Sequence, residues 1–485
     1  MIDAISVFVW DYLWGMPMVC LLVGTAILTT VFSGWFPLTH FGMIMKTALN
    51  NIFGRKETDN TKKSSGILDQ LQATSMALGT TIGVGNISGV ATAIAVGGPG
   101  AVFWMWVSAL FGMALKMSEI TLALFYRQKN SEGETYGSPL YYMKKGLGEE
   151  KGLRSLAALL IVVMSIGAFS TFFINIQTYT VAEAVGNTFH IGLIPVGIVY
   201  TVLLYIMIGR GIKTLGKISG VLVPVMCIFY IVAGILIIIL NINVLPATII
   251  SIIKSAFTGS AALGGFLGST VIAAMKTGVS RAVFSNEAGW GTAPTIHASA
   301  KVDHPVKQGI MGVFEVFVDT FIICTITSLV VLLSGEWTSG IDGATLTLTA
   351  FEHVIGTPGR IILALSIFIF GLTTSSGVFA QLETYIRYWL EKTNATTRNT
   401  LLIAYKWLYP IPALLMLIIA VVYGYPGTQL WLLSDATTAV PIFANCIAIL
   451  FLLPKFRSLV KDYQAKYIKK TPTDMKPFYD TNEDE

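Results

Sequence analysis

The chain has 485 residues, 54% of them hydrophobic and only 12% charged, about half the charged share of an ordinary soluble domain. That balance excludes a soluble multidomain enzyme and describes an all-α polytopic membrane protein. The net charge of +5 is sorted by loop rather than gathered in one patch, so it implies no nucleic-acid partner.

At roughly 20 apolar residues per crossing, eleven transmembrane helices are predicted. They lie near 8–35, 72–95, 100–124, 153–182, 191–209, 217–242, 260–280, 308–334, 359–388, 404–423 and 428–453. The start, Met1-Ile2-Asp3, lacks a basic segment, and the first apolar stretch is long enough to span, so it reads as a leading helix and not a cleaved signal. The second span contains Gly79-Thr80-Thr81-Ile82-Gly83-Val84-Gly85-Asn86-Ile87-Ser88-Gly89-Val90. Each glycine costs a helix about 1 kcal/mol relative to alanine. In lipid, unwound backbone is tolerated only where it lines a cavity. Broken helices whose free N–H and C=O groups hold ions and small anions are how secondary transporters build their sites.

A second glycine-rich run, Gly259-Ser260-Ala261-Ala262-Leu263-Gly264-Gly265-Phe266-Leu267-Gly268, falls in the span predicted at 260–280. With the first span as a leader, the breaks at Gly83 and Gly265 fall in helices 1 and 6 of a ten-helix core. Five helices per block is an odd number, so the second block enters from the opposite side and the repeats are inverted. The organisation predicted is a leading region, 1–71, with an extracellular N-terminus, one span and a cytoplasmic loop; a first repeat, 72–242; a second, 243–454; and a cytoplasmic tail, 455–485. The alternative is that the glycines serve tight helix packing alone.

Of the 32 Lys and Arg, 29 fall in alternate loops on one side, including 276–307 and the tail from Lys455 to Lys476. Positive charge marks the cytoplasm, so the N-terminus is predicted outside and the C-terminus inside. Cys20, Cys227, Cys324 and Cys446 lie in apolar spans without metal spacing, and the five histidines are scattered. Neither a nucleophile–base pair nor a metal centre emerges, so the chain reads as no enzyme, with no cofactor and no obligate protein partner. Charges inside spans are rare and usually functional. Lys116 and Glu119, three residues apart, are predicted to pair. Asp319 reads as an interhelical hydrogen-bond acceptor, or as the carrier if the coupling ion were a proton. Glu287 reads as a brace of the cytoplasmic gate.

Three segments carry a family resemblance. Gly97-Gly98-Pro99-Gly100-Ala101-Val102-Phe103-Trp104-Met105-Trp106, Asn286-Glu287-Ala288-Gly289-Trp290-Gly291-Thr292-Ala293-Pro294 and Gly83-Val84-Gly85-Asn86-Ile87-Ser88-Gly89-Val90 resemble the signatures of the alanine/glycine:cation symporter family. The resemblance implies the LeuT-type inverted-repeat fold. It also implies a prokaryotic inner-membrane importer of a small neutral amino acid, driven by sodium or a proton; a transport-deficient sensor is the remaining alternative. By similarity, the amides of Val84 and Gly85, opened by Gly83, would take the substrate carboxylate. The carbonyl of Thr81, with Gly264, Gly265 and Phe266, would face its ammonium. Gln177 aligns with a glutamine that reaches substrate, or makes an interhelical bond. Asn86 would touch a second ion or tie the broken backbone.

The hydroxyls of Thr373 and Thr374 with the carbonyls of Gly79, Ile82 and Phe370 would form a five-oxygen sodium site. Alternatively the hydroxyls bond back to their own helix. Two departures from the family pattern stand out: Val84 replaces a threonine, and Val378 replaces a tryptophan. The second opens room in the pocket, which makes glutamine a candidate beside alanine and glycine.

Overall fold

The computed structural model describes residues 2–53, 66–129, 135–209, 211–260 and 268–479. Helices dominate, and the only strands among the described residues are a two-residue pair, Gln128–Lys129 against Thr135–Tyr136. The leading helix is α1 (Met16–Phe32). The first block comprises α2 (Gln70–Thr81), α3 (Val90–Gly97), α4 (Gly100–Phe125), α5 (Arg154–Phe173), α6 (Gln177–Phe189), α7 (Leu193–Ile208) and α8 (Ile212–Leu240). A short helix, α9 (Leu245–Thr258), leads into the second block. That block comprises α10 (Val271–Asn286), α11 (Pro294–His297), α12 (Pro305–Val316), α13 (Thr325–Leu333), α14 (Gly343–Ile355), α15 (Thr357–Trp389), α16 (Ala395–Leu408), α17 (Pro410–Tyr423) and α18 (Gly427–Tyr463).

Eight helical stretches among the described residues are long and apolar enough to cross a membrane, and nine if the bent α2–α3 pair is one span. Two further predicted spans fall on α7 and α10, each only 16 residues long. The order is that of a leading helix followed by a LeuT-type core with interrupted helices at its first and sixth positions.

The first break lies where the glycines predict it. The helix α2 starts on a capping box: Asp69 Oδ1 accepts the Gln72 N–H at 2.8 Å, and Gln72 Oε1 accepts the Asp69 N–H at 3.3 Å. It stops at Ile82, whose ψ of 101° is extended. The chain restarts as a π-helical turn, Gly85–Gly89, that runs into α3, and the two halves are bent by 45°. The helices α8 and α15 pack on α2. Contact with α15 needs glycine: a methyl at Gly83 would strike Thr374, and one at Gly377 would strike Thr80.

The second described interruption follows α10. The helix α10 begins only at Val271, capped by Thr270, whose Oγ1 accepts the Ala273 N–H at 3.1 Å. It ends at Glu287 in a left-handed turn (φ 57°), with Gly289 and Gly291 also at positive φ, before α11 starts at Pro294. The interruption of helix 6 is therefore 287–293. Gly264, Gly265 and Phe266 lie outside the described residues. The flanks of their segment pair with each other, Ser260 and Ser269 exchanging N–H···O bonds of 2.9 Å. Ser269 Oγ then donates to the Gly97 carbonyl at 2.8 Å, the far end of α3 from Gly83. After α10 the helix itself is broken by two spaced glycines and a left-handed glutamate.

The bounds of α10 also reassign charge. Lys276 donates to the Trp10 carbonyl at 2.9 Å and pairs with Asp11 at 3.2 Å, beside the start of the leading segment. Arg281 is buried inside the bundle. Lys276 and Arg281 thus lie within α10 and not in a loop, which leaves 27 of the 29 cations in the alternate loops predicted from sequence. The leading segment is anchored by the Trp14 indole N–H, which donates to the Asp435 carbonyl at 2.9 Å, and α1 packs on α4 and α18.

Candidate functional site

A cavity forms where the two breaks meet, between α2–α3, α10–α11 and α15. Of the residues predicted for the site, Thr81, Gly83, Gly85, Gln177, Thr374 and Val378 line it together. Val84 and Asn86 are buried beside it but are not among its lining residues. The Asn86 side chain is already partnered: its Oδ1 accepts the Gly83 N–H at 2.8 Å, and its Nδ2 donates to the Asp319 carboxylate. Asp319 also accepts from Ser285 Oγ at 2.8 Å and Thr320 Oγ1 at 2.8 Å. Its carboxylate therefore ties the first break to α10, as an interhelical acceptor.

The predicted sodium ligands lie at the contact of α2 with α15. Thr374 Oγ1 donates across it to the Gly79 carbonyl at 3.2 Å. Thr373 Oγ1 instead bonds within its own helix, to the Phe370 carbonyl at 3.0 Å and that of Ile369 at 3.3 Å. Ile82, ending α2 in extended conformation, leaves its carbonyl outside the helical ladder.

Sequence reasoning missed the other wall. Phe284, Glu287, Trp290, Thr292 and Gln381 line the cavity. Glu287 Oε2 accepts from Thr292 Oγ1 at 2.7 Å and from Gln381 Nε2 at 3.0 Å. Two buried polar atoms on the lining have no partner among the described residues, the acceptor Gln177 Oε1 and the donor Trp290 Nε1. Phe284 packs on Trp290 (5.7 Å between ring centroids) and on Trp431 (5.1 Å). The Arg281 guanidinium lies 4.8 Å from the Trp431 ring and forms a two-pronged pair with Asp435, with Nη2–Oδ2 at 2.9 Å. The signal for this wall was the Gly289-Trp290-Gly291 spacing before Pro294.

Below the cavity, Lys116 and Glu119 do not pair with each other. The Lys116 ammonium lies 3.3 Å from Thr81 Oγ1, 2.8 Å from the Asn286 carbonyl and 3.0 Å from Glu315 Oε2. It thus sits at the carboxy-terminal ends of both broken half-helices, where partial negative charge collects. Glu315 Oε1 lies 2.9 Å from His297 Nε2. Glu119 instead holds the second break: its Oε2 accepts the Gly289 N–H at 3.2 Å, and Asn445 bonds both Glu119 and the Gly289 carbonyl (2.9 Å).

Residues 1–477 match the model of the sodium:alanine symporter family, and the chain belongs to that family. It is 38% identical to the sodium/alanine symporter AgcS of Methanococcus maripaludis over 76% of this chain and 79% of that protein. It is 33% identical to the probable sodium/glutamine symporter GlnT of Bacillus subtilis over 93% of this chain and 89% of that one. The fold is shared with a manganese transporter from Eremococcus coleocola, at a TM-score of 0.50 and 13% identity, covering 86% of this chain and 94% of that one. The protein is accordingly a multi-pass membrane transporter and no enzyme, and its activity is sodium-coupled symport of a small amino acid. A proton as coupling ion is not favoured.

Proposed function

We propose that the cavity between the breaks binds a neutral amino acid, with alanine, glycine and glutamine as candidates, and that the chain imports it by alternating access. The supporting observation is that both helix interruptions border one cavity, beside the contact of Thr374 with the Gly79 carbonyl. The substrate carboxylate lies at the amides of Val84 and Gly85, favoured by the positive end of the π-turn and α3, and the Thr81 carbonyl faces its ammonium. Gln177 Oε1 and Trp290 Nε1, an unpaired acceptor and donor, are complementary to the carboxamide of glutamine. Sodium is held by Thr373, Thr374 and the carbonyls of Gly79, Ile82 and Phe370. Uptake into proteoliposomes, screened over the twenty amino acids with and without a sodium gradient, tests this reading. Sodium-independent uptake, or none for any neutral amino acid, would overturn it.

Val378 borders the cavity at the position where the family pattern has tryptophan, and on this reading it sets the size of the accepted side chain. A pocket discriminates by clash far more than by an extra methylene, which is worth about 1–3 kcal/mol. Val378→Trp is expected to abolish competition by glutamine while sparing alanine and glycine. An unchanged order of competition would mean that position 378 does not set pocket size.

In the membrane, the remaining 27 cations support an outer N-terminus and a cytoplasmic C-terminus, with repeats over 72–242 and 243–454. A cysteine at Lys469 is expected to react with an impermeant maleimide only after cells are opened. Labelling of intact cells would reverse the orientation.

A further inference from the structure

Glu287 is 4% exposed and lines the cavity. Both hydrogen bonds its carboxylate receives, from Thr292 and Gln381, fall on Oε2. Its Oε1 has no protein partner among the described residues, and Glu287 takes part in none of their ion pairs. The neighbouring ammonium, Lys116, is committed to Glu315 at 3.0 Å. A buried carboxylate held only by neutral donors is costly unless a cation completes it. Thr292 and Gln381 fix one oxygen, and the left-handed turn at residue 287 (φ 57°) fixes the backbone that carries it. The other oxygen is thereby left for whatever enters the cavity.

We propose that Glu287 Oε1 is the receptor for the substrate's α-ammonium and so a specificity determinant: the site takes zwitterions bearing an N–H donor. This inference rests on the proposed reading and deepens it. The carboxylate end of the substrate meets the first break, and the ammonium, facing the Thr81 carbonyl on one side, reaches the second break on the other. One molecule then spans the two interrupted helices, which matches their meeting at one cavity. A charge-assisted hydrogen bond of this kind is about twice as strong as a neutral one. A quaternary nitrogen brings the charge but no donor, and a monocarboxylate brings neither.

The test is equilibrium binding to the purified full chain at saturating sodium, with glycine, its N,N,N-trimethyl derivative and propionate as probes. The wild type is expected to prefer glycine to both of the others by at least tenfold. Glu287→Gln, which keeps the shape and both neighbours, is expected to weaken glycine by tenfold or more while leaving the weak propionate affinity and the sodium half-saturation unchanged. Glu287→Asp should recover part of the glycine affinity. Equal losses for glycine and propionate, or a shifted sodium half-saturation with glycine binding intact, would overturn the assignment and leave Glu287 a brace or an ion ligand. Should Glu287→Gln fail to fold, the wild-type preference decides: equal binding of glycine and its trimethyl derivative would overturn the role. If the wild type binds no glycine, alanine or glutamine at all, the failure lies with the underlying reading.

Discussion

Replacing Thr373 and Thr374 together by alanine is expected to lower sodium-dependent uptake by an order of magnitude or more, with the protein still inserted. Of five proposed oxygen ligands, the double change removes two and leaves the three carbonyls in place. Loss of one good polar contact costs about 1–3 kcal/mol, and about 1.4 kcal/mol is tenfold in an equilibrium constant. The two hydroxyls are not equivalent. Thr374 bridges to the Gly79 carbonyl of the broken helix at 3.2 Å, whereas Thr373 bonds its own helix through Phe370 at 3.0 Å. The single change at Thr374 should therefore raise the sodium half-saturation more than that at Thr373, because it also releases the contact between α2 and α15. Sodium titration of uptake in the three variants checks this. An unchanged half-saturation in the double variant would move the ion elsewhere.

Removing the ammonium of Lys116 is expected to cost about 3–5 kcal/mol of folding stability, the usual consequence of breaking a buried ion pair from one side. Lys116 and Glu315 are both fully buried, and the same ammonium serves Thr81 and the Asn286 carbonyl. Lys116→Met would leave Glu315 charged in the bundle with only His297 beside it, at 2.9 Å. Adding Glu315→Gln removes the orphaned charge and should restore part of the loss, which a nonspecific packing defect would not do. Thermal unfolding of the detergent-purified single and double variants gives the comparison. Equal destabilisation by both would mean that the pair contributes packing and not charge.

The first break was legible because Gly79, Gly83, Gly85 and Gly89 interrupt an otherwise apolar span, and lipid punishes loose backbone anywhere but at a cavity. The family segments and the alternation of basic loops gave the class and most of the spans. The interruption at 287–293 was missed because glycine density drew attention to 259–268 instead. The run at 259–268 is richer in glycine, yet its flanks pair with each other near Gly97, while the chain turns left-handed at Glu287. That turn is a property of tertiary support: Glu119, Asn445 and Tyr385 bind the backbone of Gly289 and Gly291 from three other helices. The same distance in sequence hid the partner of Lys116, since Glu315 lies 199 residues further along the chain. A glutamate three residues away on the same helix was the nearer guess. Hydroxyls such as that of Thr374 could be assigned to a face, but only the packing of α15 on α2 decides that this one crosses to Gly79.

Trp290 gives the molecule a built-in optical signal. Its indole is the only one of the ten tryptophans among the residues lining the cavity, and its N–H has no partner there. Indole emission depends on hydrogen bonding at that nitrogen and on nearby charge, and Glu287 shares the same wall. On the proposed reading, arrival of a zwitterion changes the surroundings of this chromophore directly. The time course of loading becomes readable by stopped flow on unlabelled protein, with Trp290→Phe as the blank.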